Sequence, residues 1–169
     1  MAQPYPEEDH LKGNFAPIRM ESNIDDVIIE GEIPKEINGT YYRNGPDPKF
    51  SPRGGNSHWF GGDGMIHAFH IKDGKVSYLN RWMKTVKWLK EHEEQKALWS
   101  SGMDVMNNDP SVSNIETDGL ANTAIVSHAG KIFALEEAHA PFEFNPMTLD
   151  SIGSHTFDNK LEGPVTAHP

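Results

Sequence analysis

The sequence predicts an all-β fold interrupted by a single helix, and three observations carry that prediction. The run MIHAFHIKDGKVSYLNRW at 65–82 sets two extended segments on either side of Asp73-Gly74, a dipeptide that supplies the positive φ of a tight hairpin turn. Residues 123–157 hold four short strand-like runs divided by turn signals. Only 86–99 spaces its apolar residues at a helical period. Composition agrees: 36 % hydrophobic residues, 12 Pro and 15 Gly describe a loop-rich chain and exclude a long helical bundle.

Taken in order, residues 1–24 read as an irregular arm, with Pro4, Pro6 and Pro17 and no sustained period. The first strand is expected at 27–30 and a second at 40–43, with Pro34 and the Asn38-Gly39 turn between them. Three prolines and three glycines make 44–55 a loop, because neither ladder survives that density of breakers. The hairpin follows. The helix VKWLKEHEEQKALW then places Val86, Leu89, Leu98 and Trp99 among charged residues that form a solvated face. Strands are expected near 123–127, 131–137, 141–144 and 149–157, divided by Ala129-Gly130, by a break at His139 and by Asn145-Pro146. Four antiparallel strands in about 35 residues is the size of one propeller blade.

Charge and composition exclude several function classes. The 25 acidic and 15 basic side chains give a formal charge of −10, which repels a phosphate backbone, so nucleic acid is not an expected partner. No window reaches the roughly 18 apolar residues of a membrane span, and the acidic start MAQPYPEEDH lacks the pattern of an export signal, so a cytoplasmic location is expected. The sequon Asn38-Gly39-Thr40 then has no meaning. Without cysteine, any metal must be held by His, Asp or Glu.

Nine histidines invite a metal reading. His67 and His70 look like a ligand pair, but on a strand positions i and i+3 face opposite sides of the sheet. His10 and His92 read as surface residues. His128 precedes a turn, and His139 and His155 fall at strand ends. No spacing among them resembles HExxH or a two-His-one-carboxylate set, and spacing alone says nothing of His168.

Five blocks change the weighing: YYRNGPDPKF at 41–50, HWFGGDGMIHAF at 58–69, ANTAIVSHAGKIFALEE at 121–137, FEFNPMTLDSIG at 142–153 and TAHP at 166–169. In this order they resemble the N-terminal part of the carotenoid cleavage oxygenases, which include plant and bacterial carotenoid-cleaving enzymes and the lignostilbene dioxygenases. The resemblance implies a seven-bladed β-propeller with a non-haem Fe(II) on its axis, bound by four histidines from different blades. His168 corresponds to the first of them. Residues 1–169 are then expected to be the N-terminal part of one propeller domain, roughly two blades plus a helical dome insertion, with the other three ligands beyond Pro169. Four neutral imidazoles leave the iron its full charge and open positions for O2. The glutamate that ends the family's GK-x-x-A-x-x-E strand orients one of the imidazoles through its other ring nitrogen, and it maps onto Glu137, with a histidine beyond the chain as well as His168 open as its partner.

Enzymes of this kind take an elongated polyene or a stilbene into a tunnel and add O2 across one double bond to give two carbonyl fragments. The resemblance implies a dioxygenase when full length and an inactive piece in isolation. Phe60 matches an aromatic residue lining the tunnel in the lignostilbene branch, although a packed core phenylalanine is an equal reading of the position. The KW-x(9)-LW stretch at 87–99 and DPSV at 109–112 also look like that branch. Two departures stand against it: its phenol-binding Tyr falls where this chain has Ser100, Ser101 and Gly102, and its phenol-binding Lys falls at Glu136. Two other readings stay open, a metal-free propeller binding module and a non-oxidative isomerase on the same scaffold. Peripheral membrane contact and oligomeric state also stay open.

Overall fold

The computed structural model describes residues 3–54, 57–101 and 105–169. Met1, Ala2, Gly55 and Gly102, named above in the arm, the loop and the departures, lie outside the described residues.

Among the described residues eight strands form two four-stranded antiparallel sheets. The first contains β1 (Ser22–Ile24), β2 (Gly39–Pro46), β3 (Gly64–Lys72) and β4 (Lys75–Trp82) in the order β1-β4-β3-β2. The second contains β5 (Ala124–His128), β6 (Lys131–Leu135), β7 (Phe142–Phe144) and β8 (Ser151–Ser154) in sequential order. The central hairpin turns at Asp73-Gly74, both with positive φ, and pairs Lys72 with Lys75. In the second sheet Ala129-Gly130 makes the same kind of turn.

Three expectations are corrected. No strand occupies 27–30; the outer strand is instead Ser22–Ile24, paired with Asn80, Leu79 and Tyr78. Only Val27 N–H reaches β4, on the Val76 carbonyl at 3.0 Å, and Ile28 stays 93 % exposed because nothing lies over it. β2 does not stop at 43 but continues through Asn44, Gly45 and Pro46. It is an edge strand, where a proline without N–H costs no ladder bond, and the Asn44 side chain accepts from Gly45 N–H and donates to the Ala121 and Ala124 carbonyls. The helix α1 (Val86–Glu94) ends short of 99. Thr85 caps its start by accepting from Trp88 N–H at 3.2 Å, and Gln95 ends it in the left-handed conformation. Leu98 and Trp99 then give their N–H groups to the Glu91 carboxylate instead of to helix carbonyls.

The core lies between the sheets. Register puts Tyr42, Ile66, Ala68 and Leu79 on one face of the first sheet, and these meet Ile132, Ala134, Phe142 and Phe144 of the second. Tyr42 packs edge-on against Phe144 at 6.2 Å and its hydroxyl donates to the Pro146 carbonyl. Close approach explains two glycines of the GGDGM block: a Cβ on Gly64 would sit 2.1 Å from the Ala121 carbonyl oxygen, and one on Gly62 2.8 Å from the Asp47 nitrogen. A smaller cluster, Met65, Trp82 and Trp88, seats α1 on the opposite side.

Candidate active site

His168 is positioned from both sides. Ala167 is fully buried against Phe133 and Leu135 of β6, and Thr166 Oγ1 accepts from His168 N–H, so the backbone is anchored one residue before the imidazole. The side chain turns outward, 70 % exposed, with Nε2 3.0 Å from Glu137 Oε1, itself 70 % exposed. Glu137 is the second residue after the end of β6. Among the described residues His168 is the imidazole that meets Glu137.

Phe60 and Glu136 belong to the same end of the second sheet. Thr123 N–H donates to the Leu135 carbonyl, and the preceding Asn122, buried, donates through Nδ2 to the carbonyls of Phe60 and Gly62. The loop bearing Phe60 thus hangs from the segment that leads into β5, opposite the end of β6. Among the described residues Phe60 is 60 % exposed, with its ring centroid 5.6 Å from that of His58. Glu136, in contrast to Glu137, turns inward, where it pairs with His139 Nδ1 and accepts from Ala138 N–H. Gly119 makes room for this pair: at φ +94° a Cβ there would lie 2.7 Å from the Glu136 carboxylate and 2.9 Å from His139.

Sequence reasoning missed Asn122 and the buried charges behind α1. Lys87 Nζ lies 2.8 Å from Asp63 Oδ1 and 2.7 Å from Glu91 Oε2. Burial alone would lower the Lys87 pKa; the two carboxylates outweigh it and hold the ammonium above its usual range. Burial raises the Glu91 carboxyl against the pull of Lys87. The i,i+4 spacing of Lys87 and Glu91 was readable, whereas Asp63 is 24 residues away and carries no local signal.

The other histidines have structural partners. His67 and His70 point to opposite faces, as strand geometry requires, and bond Tyr78 and Thr40 respectively, each at 2.7 Å. His10 is not a plain surface residue: its Nε2 meets Ser57 Oγ at 2.6 Å and its side chain is 16 % exposed. His92 is exposed, stacked on Trp88 at 4.7 Å. His155 Nδ1 lies 2.9 Å from Glu143.

Among the described residues no group of three or more His, Asp or Glu side chains could enclose a metal ion. A single exposed imidazole with a carboxylate beside it has the donor chemistry for one position of a shared all-histidine centre and not for a whole one. No helix among the described residues is long and apolar enough to cross a membrane.

The family model described as retinal pigment epithelial membrane protein matches residues 15–169. The chain is 39 % identical over 164 residues to an isoeugenol monooxygenase of Pseudomonas nitroreducens, covering 96 % of this chain and 34 % of that protein. It is 37 % identical over 177 residues to carotenoid 9,10(9',10')-cleavage dioxygenase 1 of Pisum sativum, covering 94 % of this chain and 32 % of that one. It superposes on the crystal structure of Pseudomonas brassicacearum lignostilbene dioxygenase with a TM-score of 0.93 at 34 % identity, over 99 % of this chain and 35 % of the other. The chain therefore spans about a third of the length of the relatives it matches.

Proposed function

Because this chain belongs to the retinal pigment epithelial membrane protein family, we propose that it is the N-terminal third of a non-haem Fe(II) dioxygenase built as a seven-bladed propeller. The reaction is cleavage of an alkene C=C bond in a carotenoid, apocarotenoid or stilbene-type phenylpropanoid. One C=C and one O2 are consumed, each alkene carbon takes one oxygen, and two carbonyl products leave with no net proton change. The relatives named for isoeugenol, lignostilbene and carotenoids share such a bond in their substrates.

The observation that carries the reading is the His168–Glu137 pair, set at the end of the second sheet where Glu136 and the Phe60 loop converge. His168 supplies one neutral nitrogen, and Glu137 holds that imidazole in orientation and offsets positive charge at the site. Bound Fe(II) would supply open positions at which O2 is activated. Phe60, exposed on its loop, offers an aromatic face to an elongated apolar substrate. Glu136 stands where a phenol-binding lysine is found in the lignostilbene branch; its carboxylate, paired with His139, repels a phenolate and favours a neutral substrate.

The test is to express the longest natural reading frame containing these residues, load it anaerobically with Fe(II), and supply isoeugenol, 4-hydroxystilbene or an apocarotenoid under 18O2. One iron per chain and one 18O in each carbonyl product, measured before exchange with water, are expected. Failure to retain iron overturns the assignment in favour of a metal-free binding module, and an isomerised, unlabelled product overturns it in favour of an isomerase.

A further inference from the structure

Two Asn-Gly pairs lie six residues apart, Asn38-Gly39 at the mouth of β2 and Asn44-Gly45 near its end. Chemically they are alike. A glycine has no Cβ to keep its amide nitrogen away from the preceding carboxamide, so in either pair that nitrogen can reach the asparagine Cγ and close a five-membered ring. The attack needs the glycine N–H proton to be lost. Whether it happens in the folded protein therefore depends on how each carboxamide and each N–H is held.

Asn44 is held shut. Its Nδ2 donates to the Ala121 and Ala124 carbonyls at 3.0 and 3.2 Å, so departure of that nitrogen would cost two bonds to the segment entering β5. Its Oδ1 accepts from Gly45 N–H at 2.8 Å, which keeps the proton that attack must remove.

Asn38 is open. It is exposed, one residue past the turn that Ile37 N–H closes on the Pro34 carbonyl at 3.0 Å. Gly39 is exposed as well, and beyond its chain neighbours nothing lies within 4 Å of the point where a Cβ would stand. Two bonds orient the carboxamide: Nδ2 donates to the Lys35 carbonyl and Oδ1 accepts from Asp73 N–H, each at 3.0 Å. The Asp73 N–H, carried on the turn between β3 and β4, thus sits on the oxygen that gathers negative charge as the ring closes.

We propose that Asn38, and not Asn44, is a site of covalent self-modification. Gly39 N–H gives its proton to solvent base, its nitrogen bonds Asn38 Cγ, and Nδ2 leaves as ammonia. Water then adds to either carbonyl of the succinimide and opens it to an aspartyl or an isoaspartyl residue. One water is consumed, one ammonia is released, and nothing is oxidised or reduced. The product sets a carboxylate beside the Asp73 turn and leaves the Lys35 carbonyl without its donor; the isoaspartyl form also inserts a methylene into the backbone where an edge strand begins.

The experiment incubates the folded protein, expressed from the longest natural reading frame, in mildly alkaline water enriched in 18O, and digests it with trypsin in ordinary water. Cleavage after Lys35, Arg43 and Lys49 puts the two asparagines in separate peptides, 36–43 and 44–49. Peptide 36–43 is expected to take up one 18O, as a mixture of aspartyl and isoaspartyl forms, about tenfold or more faster than 44–49; in guanidinium chloride the two should label at similar rates, because the fold no longer distinguishes them. Asn38→Gln, whose longer side chain would have to close a six-membered ring, is expected to leave 36–43 unlabelled. An unlabelled 36–43 in the folded wild-type protein overturns the proposal, and so does equal labelling of the two peptides in the fold. The readout needs neither iron nor substrate, so its outcome is independent of the proposed oxygenase activity.

Discussion

His168 Nε2 lies 3.0 Å from Glu137 Oε1, although the two residues are 31 positions apart and both side chains are 70 % exposed. Little of the fold depends on either side chain, whereas the proposed metal depends on both. In the full-length protein His168→Ala is expected to leave the thermal midpoint unchanged and to reduce bound iron to a trace. Glu137→Gln keeps a hydrogen-bonding group but removes the charge, and should weaken iron retention by about 10–100-fold in chelator competition. Stoichiometric iron in the His168→Ala protein contradicts the ligand assignment.

Lys87 carries a different kind of consequence, because its one ammonium is the cation paired with two buried carboxylates at once. Lys87→Met should destabilise the protein by about 3–5 kcal/mol in denaturant titrations, the cost of leaving Asp63 and Glu91 buried without their cation. The Glu91 carboxyl, raised by burial and no longer pulled down by Lys87, is then held protonated in the fold to a higher pH than in the unfolded chain, so the variant should lose further stability as pH rises through the carboxylate range. Adding Glu91→Gln should recover part of the loss, and no recovery would show that Lys87 acts through packing alone.

Asp47 and His67 impose opposite pH dependences. Burial raises Asp47 to about 6, helped by nearby Asp63 and opposed by the Ile18 N–H that its carboxylate accepts. The folded state thus binds the extra proton, and Asp47 costs stability as pH rises from 3.8 to about 6. Burial, with the Arg43 charge behind it, lowers His67 to about 4, so the unfolded state binds the extra proton and stability is gained as pH rises from about 4 to 6.5. The two nearly cancel between pH 4 and 6. Urea titrations across that window should show Asp47→Asn gaining stability with pH and His67→Gln losing it; parallel slopes in the two variants would refute the assignment.

The parts of this fold that could be read from sequence are those with local causes. The hairpin around Asp73-Gly74 and the meander from Ala124 to Ser154 have turn chemistry and period in one stretch of chain. The outer strand was misplaced because Ser22–Ile24 is selected by pairing with β4, more than fifty residues on, and Ile28 and Ile29 only look more strand-like. The helix ran too long in the reading because Leu98 and Trp99 keep its period, while the Glu91 carboxylate captures their amides. At the site, spacing distinguished neither His168 nor Glu137. Family resemblance singled them out, and the fold brings them together through Ala167 packed on β6. Asn122, whose side chain spans 62 residues to hold the Phe60 loop, left no trace that composition or period could reveal.

Under the proposed function, the inward-turned Glu136 bears on which alkene would be cleaved. Its carboxylate is paired with His139 in the space that Gly119, lacking a Cβ, leaves open. A phenol ionises near pH 10, and its anion beside a carboxylate is disfavoured, so a mechanism that depends on phenolate formation gains nothing from this residue. The full-length enzyme is therefore expected to cleave 4-methoxystilbene at least as well as 4-hydroxystilbene. Glu136→Lys should lower KM for the phenol while leaving the methoxy compound unchanged, since only the phenol can give up a proton and meet the new cation as an anion. Rejection of the methoxy compound by the unaltered enzyme would mean that the phenol is bound by some other group, and that Glu136 does not set the substrate preference.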